Sequence, residues 1–146
     1  MRHMLHCKTW TGRTPVKLTT KIMENTRKVS TDMVQRFDVG TRLSEMAVHN
    51  GVCYLAGQVA ADGSQDITGQ TQQVLAAIDA LLARAGTDKT KLLMVQIFIK
   101  DLADFQSMNA AWEAWLPAGQ APPRATVKAD LAKPEWRVEM VVTAAL

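Results

Sequence analysis

From Met33 onward the apolar and polar positions fall into two repeats, the two-residue period of strands and the 3.6-residue period of helices. Residues 34–39 read as a short strand. Met46-Ala47-Val48 and residues 52–57 flank His49-Asn50-Gly51, and Asn-Gly between two apolar runs is the strongest local signal for a hairpin. Residues 60–69 are polar and read as a loop. Val74, Leu75, Ile78, Leu81, Leu82 and Ala85 then lie at offsets 0, 1, 4, 7, 8 and 11, one face of an amphipathic helix. Asp66 or Thr68 can cap its start and Gly86 its end.

Leu92–Ile99 is a nearly continuous apolar run with β-branched residues, which predicts a central strand buried on both faces. Leu102, Phe105, Met108, Trp112 and Trp115 step by 3, 3, 4 and 3, a second helix with Asp101 as its N-cap, closed by Pro117 and Gly119. Residues 125–130 alternate Ala125, Val127, Ala129 against Thr126, Lys128, Asp130, a strand with one apolar face. Residues 137–146 form the last strand. The body reads β-β-α-β-α-β-β, with two helices and four to six strands. That is an α+β fold with both helices on one face of a single sheet. The last strand is small or apolar on both faces, and no third layer exists in the sequence. Another subunit is therefore expected to cover the second face.

The length of 146 residues fits one domain, and 47% hydrophobic with 21% charged residues is an ordinary globular composition. A net charge of +3 hints at nucleic acid until its distribution is read. Residues 1–32 hold seven basic and two acidic residues, a net +5, which leaves −2 on residues 33–146. A nucleic-acid partner is thus not expected. Residues 1–32 lack an apolar period and form a basic N-terminal extension, expected to be poorly ordered. Either they are an organelle transit peptide, or translation starts downstream at Met23 or Met33. No apolar run reaches the ~18 residues needed to cross a bilayer. Two cysteines, Cys7 and Cys53, cannot build a disulfide framework, which points to a reducing, cytoplasmic setting. No Cys/His cluster has zinc-site spacing, and no phosphate loop or G-x-S-x-G is present.

Few side chains invite chemistry. Arg124 follows Pro122-Pro123 at the start of a strand, where a stiff backbone can aim a guanidinium at a carboxylate or phosphate; it can equally be a surface residue. Glu139 stands between apolar neighbours, so it needs a cation such as Arg137 or Lys128, a donor, or a wet cleft. Gly57 ends an apolar strand, either as a bulge or to admit a ligand close to the backbone. Asn109, mid-helix beside Trp112, can bond a neighbouring loop or a substrate. Cys53 reads as a buried small hydrophobe rather than a nucleophile, and His49 as a turn residue.

Several stretches resemble one family: Val48-His49-Asn50-Gly51, Tyr54-Leu55-Ala56-Gly57-Gln58, Gly69-Gln70-Thr71-Gln72-Gln73-Val74-Leu75, Phe98-Ile99-Lys100-Asp101, Asp104-Phe105, Met108-Asn109 and Pro123-Arg124-Ala125-Thr126-Val127. These are similar to the Rid family of reactive intermediate deaminases, also called YjgF, over residues 34–146. The run Met108-Asn109-Ala110-Ala111-Trp112-Glu113-Ala114-Trp115 with Ala118-Gly119 resembles its YoaB-like branch. The resemblance implies a chorismate-mutase-like domain assembled as a homotrimer with clefts at the interfaces. It implies hydrolysis of short 2-enamino and 2-imino acids to 2-keto acids and ammonium, without a cofactor. Arg124 then binds the substrate carboxylate, Glu139 positions water, and the Gly57 N–H faces the substrate. Thr126 stands where the family often has Cys or Ser, and Leu43 where an aromatic residue lines the cleft; both departures bear on substrate preference. Two alternatives remain open: a non-catalytic trimeric module that binds small carboxylates or a protein, and an RNA-acting protein like relatives labelled ribonuclease or translation inhibitor.

Overall fold

The computed structural model describes residues 33–146; the expectations for residues 1–32 lie outside the described residues. Among the described residues seven strands occur: β1 (Gln35–Val39), β2 (Ser44–His49), β3 (Val52–Leu55), β4 (Gln58–Val59), β5 (Leu92–Ile99), β6 (Arg124–Lys128) and β7 (Val138–Ala145). Helix α1 spans Ile67–Arg84 and helix α2 spans Phe105–Trp115. The strands form one sheet in the order β1-β2-β3-β7-β5-β6, with β4 also paired to β7. Only β5 and β6 run parallel, because α2 connects them by a crossover; the other pairs are antiparallel.

Local chemistry explains each turning point. Asn50 and Gly51 both have positive φ (49° and 75°), the two-residue turn whose twist matches the β2–β3 hairpin. Asp66 caps α1 by accepting the Gly69 N–H at 2.8 Å. Gly86, at φ 80°, ends α1, and its N–H and that of Thr87 bond the Ala83 and Leu82 carbonyls. Asp101 does not cap α2 itself. It accepts the Ala103 N–H and caps a 3-10 turn, Leu102–Asp104, that leads into α2. The capping residue is thus offset by one turn from the first residue of the α-helix.

The core lies between the helices and one sheet face. Val74, Ile78 and Leu82 of α1 and Met108 and Trp112 of α2 pack with Met46, Cys53, Val95, Ile97, Ile99 and the buried half of β7. In β7 the alternation is complete: Val138, Met140, Val142 and Ala144 are buried, and Glu139, Val141, Thr143 and Ala145 are not. The expectation that β5 is buried on both faces is corrected. Val95, Ile97 and Ile99 are fully buried, but Met94 is 50% exposed and Gln96 is exposed, because the helices cover one face only. The strand placed at 125–130 is Arg124–Lys128, and its apolar residues face outward, with Val127 41% exposed. Tyr54, Met94, Phe98, Val127 and Val141 share that uncovered face through their pairings. No helix among the described residues is long and apolar enough to cross a membrane.

The segment at 52–57, read as one strand, is broken. Tyr54 faces Thr143 and Gln58 faces Met140, so four steps on one side oppose three on the other: a one-residue bulge at Ala56-Gly57. Gln70 joins distant segments. Its amide nitrogen donates to the carbonyls of Gly63, Gln65 and Glu135, and its oxygen accepts the Arg137 N–H at 2.9 Å. Gln70→Ala strands these buried backbone groups. It is expected to lower stability by about 2–4 kcal/mol in urea unfolding, and a loss under about 1 kcal/mol would refute the clamp.

Candidate functional site

Arg124 begins β6 beside Val95, whose side chain points to the helices, so the parallel register sends the Arg124 side chain to the helix side. There α2 meets it with two groups. Asn109 Oδ1 accepts from Arg124 Nη2 at 2.7 Å. The Trp112 ring lies beneath the guanidinium, 5.2 Å from ring centre to Cζ. Nη1 is buried and has no hydrogen-bond partner among the described residues. A buried donor without an acceptor is rare, because it forfeits its bonds to water. Thr126, two residues on, is half-buried on the same side beside Ile97. Asn109, expected to bond a neighbouring loop or a substrate, is bonded to Arg124.

Glu139 lies elsewhere. It alternates onto the uncovered face of β7, between Val59 and Phe98. Neither proposed cation pairs with it: Arg137 bonds Asp104, with Nε–Oδ2 at 2.8 Å and Nη2–Oδ1 at 2.5 Å. Asp104, buried at the start of α2, holds Arg137 in this pair. Among the described residues Glu139 has no hydrogen-bond or ion-pair partner. Its carboxylate lies directly over Gly57, where a Cβ would fall 1.9 Å from Oε1. The bulge at Ala56-Gly57 therefore exists with room for that carboxylate. Leu43, 55% exposed, precedes β2 at the end of the sheet where the Ala56 N–H bonds the Glu45 carbonyl.

The structure thus groups the six nominated residues into two sets. Arg124, Asn109 and Thr126 lie on the helix side of β6. Glu139, Gly57 and Leu43 lie at the other set of strands, with Glu139 on the uncovered face. Arg124 flanks β5 at Val95 and Glu139 flanks it at Phe98 on the other edge. Three residues along and two strands across is roughly 14 Å between Cα atoms. One chain does not bring the two charged groups to one point.

Cys53 is fully buried, and burial pushes its thiol pKa up, against catalysis by a thiolate. Among the described residues no group of three or more His, Cys, Asp and Glu could hold a metal ion. The pair that sequence reasoning missed is Asp104–Arg137. It borders a polar cleft of about 480 Å³ that also includes Lys100, Lys128 and Asp130. Asp104 carried no signal of its own, since an acid in the first turn of a helix is commonplace.

The sequence pattern of the Endoribonuclease L-PSP family matches residues 33–146. A RutC family protein of Haemophilus ducreyi is 49% identical over 114 residues, 78% of this chain and 97% of the relative. The RutC family protein YoaB of Escherichia coli strain K12 is 41% identical over 113 residues, 77% of this chain and 98% of the relative. A crystal structure of a YjgF family member from Neisseria meningitidis has a TM-score of 0.76 at 42% identity, covering 79% of this chain and 96% of that one. The single mixed sheet with two helices on one face is the YjgF, chorismate-mutase-like fold.

The contact between Gly57 and Glu139 gives a direct test. Gly57→Ala must displace the Glu139 carboxylate, whereas the fold tolerates the change at this exposed bulge. Carboxyl chemical shifts of Glu139 are expected to move while the thermal midpoint changes by under about 4 °C, the shift that 1 kcal/mol gives at this size. An unmoved Glu139 would refute the contact.

Proposed function

The chain belongs to the Endoribonuclease L-PSP (YjgF) family, and on that premise we propose that it is a hydrolytic deaminase of short 2-imino and 2-enamino carboxylic acids. The observation that carries the reading is Arg124: a guanidinium held by a neutral amide and an aromatic face, with a buried donor that lacks an acceptor among the described residues. A planar fork of this kind matches a carboxylate bidentately and fixes the carbon next to it.

The chemistry asked of the remaining groups is modest. An iminium carbon is already electrophilic. Glu139 accepts a proton from water as the oxygen bonds to C2, giving a carbinolamine. The same proton passes to the nitrogen; Glu139 then takes the hydroxyl proton as the C–N bond breaks and the C=O forms, and hands it to the departing ammonia, so a 2-keto acid and ammonium leave. An enamine first takes a proton at C3 and becomes the imine. Glu139 suits this base role because its carboxylate lies on the uncovered face against Gly57, with no cation paired to it among the described residues.

Arg124 and Glu139 serve one substrate only if they come from two chains. A second copy on the uncovered sheet face would hide the exposed Tyr54, Met94 and Val127 and bring one copy's Glu139 toward another's Arg124. A homotrimer, closed by a threefold axis, offers three such junctions. An RNA substrate is disfavoured by the net −2 of residues 33–146, since RNA affinity draws on clustered Lys and Arg.

The tests follow from the roles. With 2-iminopropanoate or 2-iminobutanoate supplied by a serine or threonine dehydratase, Arg124→Ala is expected to lose about 10²-fold or more in kcat/KM. Full activity in that variant would sink the assignment. Glu139→Gln is expected to lower kcat by about 10²–10⁴-fold while 2-oxobutanoate still binds; unchanged turnover favours a binding module. Mixing the two inactive variants under conditions of subunit exchange should restore about a quarter of wild-type activity, since one junction in four then carries both intact groups. A mixture that stays inactive places both groups in one chain.

A further inference from the structure

We propose that Asn109 is a positioning residue: it fixes the rotation of the Arg124 guanidinium on the Trp112 ring, so that the remaining donors are set before a carboxylate arrives. The inference rests on the reading of Arg124 as the carboxylate clamp. It differs from the expectation that Asn109 touches substrate.

Arginine has a long, flexible stem, and a clamp that must order itself on binding loses affinity to that ordering. Two restraints are needed to stop it, one on the plane of the guanidinium and one on rotation within that plane. Trp112 supplies the first. Its ring is buried, packed 5.4 Å from Trp115, and lies 5.2 Å from Cζ. Asn109 supplies the second, through the 2.7 Å bond from Nη2 to Oδ1. Both come from one helix, three residues apart, on neighbouring positions of one face.

The identity of the residue matters. Asn is a poor helix former, yet Asn109 sits mid-helix and 9% exposed. Its side chain does not turn back onto its own helix but reaches across to β6. It takes one of five N–H donors and brings no charge. An aspartate would hold the guanidinium as well, but it would neutralise the cation and occupy the place of an incoming carboxylate. An alanine would hold nothing. Asn is the side chain that orients the cation and leaves it available, and Nη1 has no acceptor among the described residues.

The test uses Asn109→Ala and Asn109→Asp in the full chain. Asn109→Ala is expected to raise KM for the imino acid, and Kd for 2-oxobutanoate by calorimetry, by about tenfold, with kcat within about threefold and a thermal midpoint that falls by no more than about 8 °C, so that the protein stays folded under assay. Tenfold is the scale of one hydrogen bond to a charged group. Asn109→Asp keeps the geometry but adds a negative charge that offsets the guanidinium, so both constants should rise at least as far, with a thermal midpoint equal to or above wild type. If both variants bind 2-oxobutanoate like wild type, the proposal fails, whatever the midpoints show. If turnover is absent in wild type but 2-oxobutanoate binding weakens in Asn109→Ala, positioning stands and the deaminase reading falls. If turnover is present and Asn109→Ala retains wild-type KM, the reverse holds. Wild type that neither turns over imines nor binds 2-oxobutanoate overturns both.

Discussion

Alternation along β7 decides most of this molecule. Val138, Met140, Val142 and Ala144 go beneath the helices, and Glu139, Val141, Thr143 and Ala145 go to the face that no helix covers. Because neighbouring strands pair residue by residue, the same division spreads through the sheet. The core forms on one side, and the other side keeps an apolar surface of Tyr54, Met94 and Val127. One two-residue period thus fixes the hydrophobic core, the surface available for association, and which charged groups share a side.

Elements governed by neighbouring residues were legible in the sequence. Asn50-Gly51 makes its turn through the φ values of two residues alone. The apolar stripe of α1 and the Asp66 cap are likewise local. Features set by distant partners were not legible. The bulge at Ala56-Gly57 makes space for Glu139, more than eighty residues away in sequence. The apolar run of β5 looked buried on both faces because composition reports how apolar a face is, not what covers it. Alternation showed that β6 has two faces, but only its parallel register to β5 tells which one meets α2. The type of Arg124 and Glu139 was readable; their placement on opposite sides of the sheet was not.

The two arginines near α2 show how one cation is made structural and another left available. Arg137 meets Asp104, a carboxylate 6% exposed, through two charge-assisted bonds. Its charge is balanced, and its backbone N–H is tied to Gln70. Removing Arg137 would strand the buried Asp104 carboxylate, so the pair belongs to the framework. Arg124 meets a neutral amide and a ring face instead. Both partners favour the cation without cancelling it, and the positive charge remains to be matched by a ligand. The difference between an aspartate in the 3-10 turn before α2 and an asparagine within α2 is what separates these two roles.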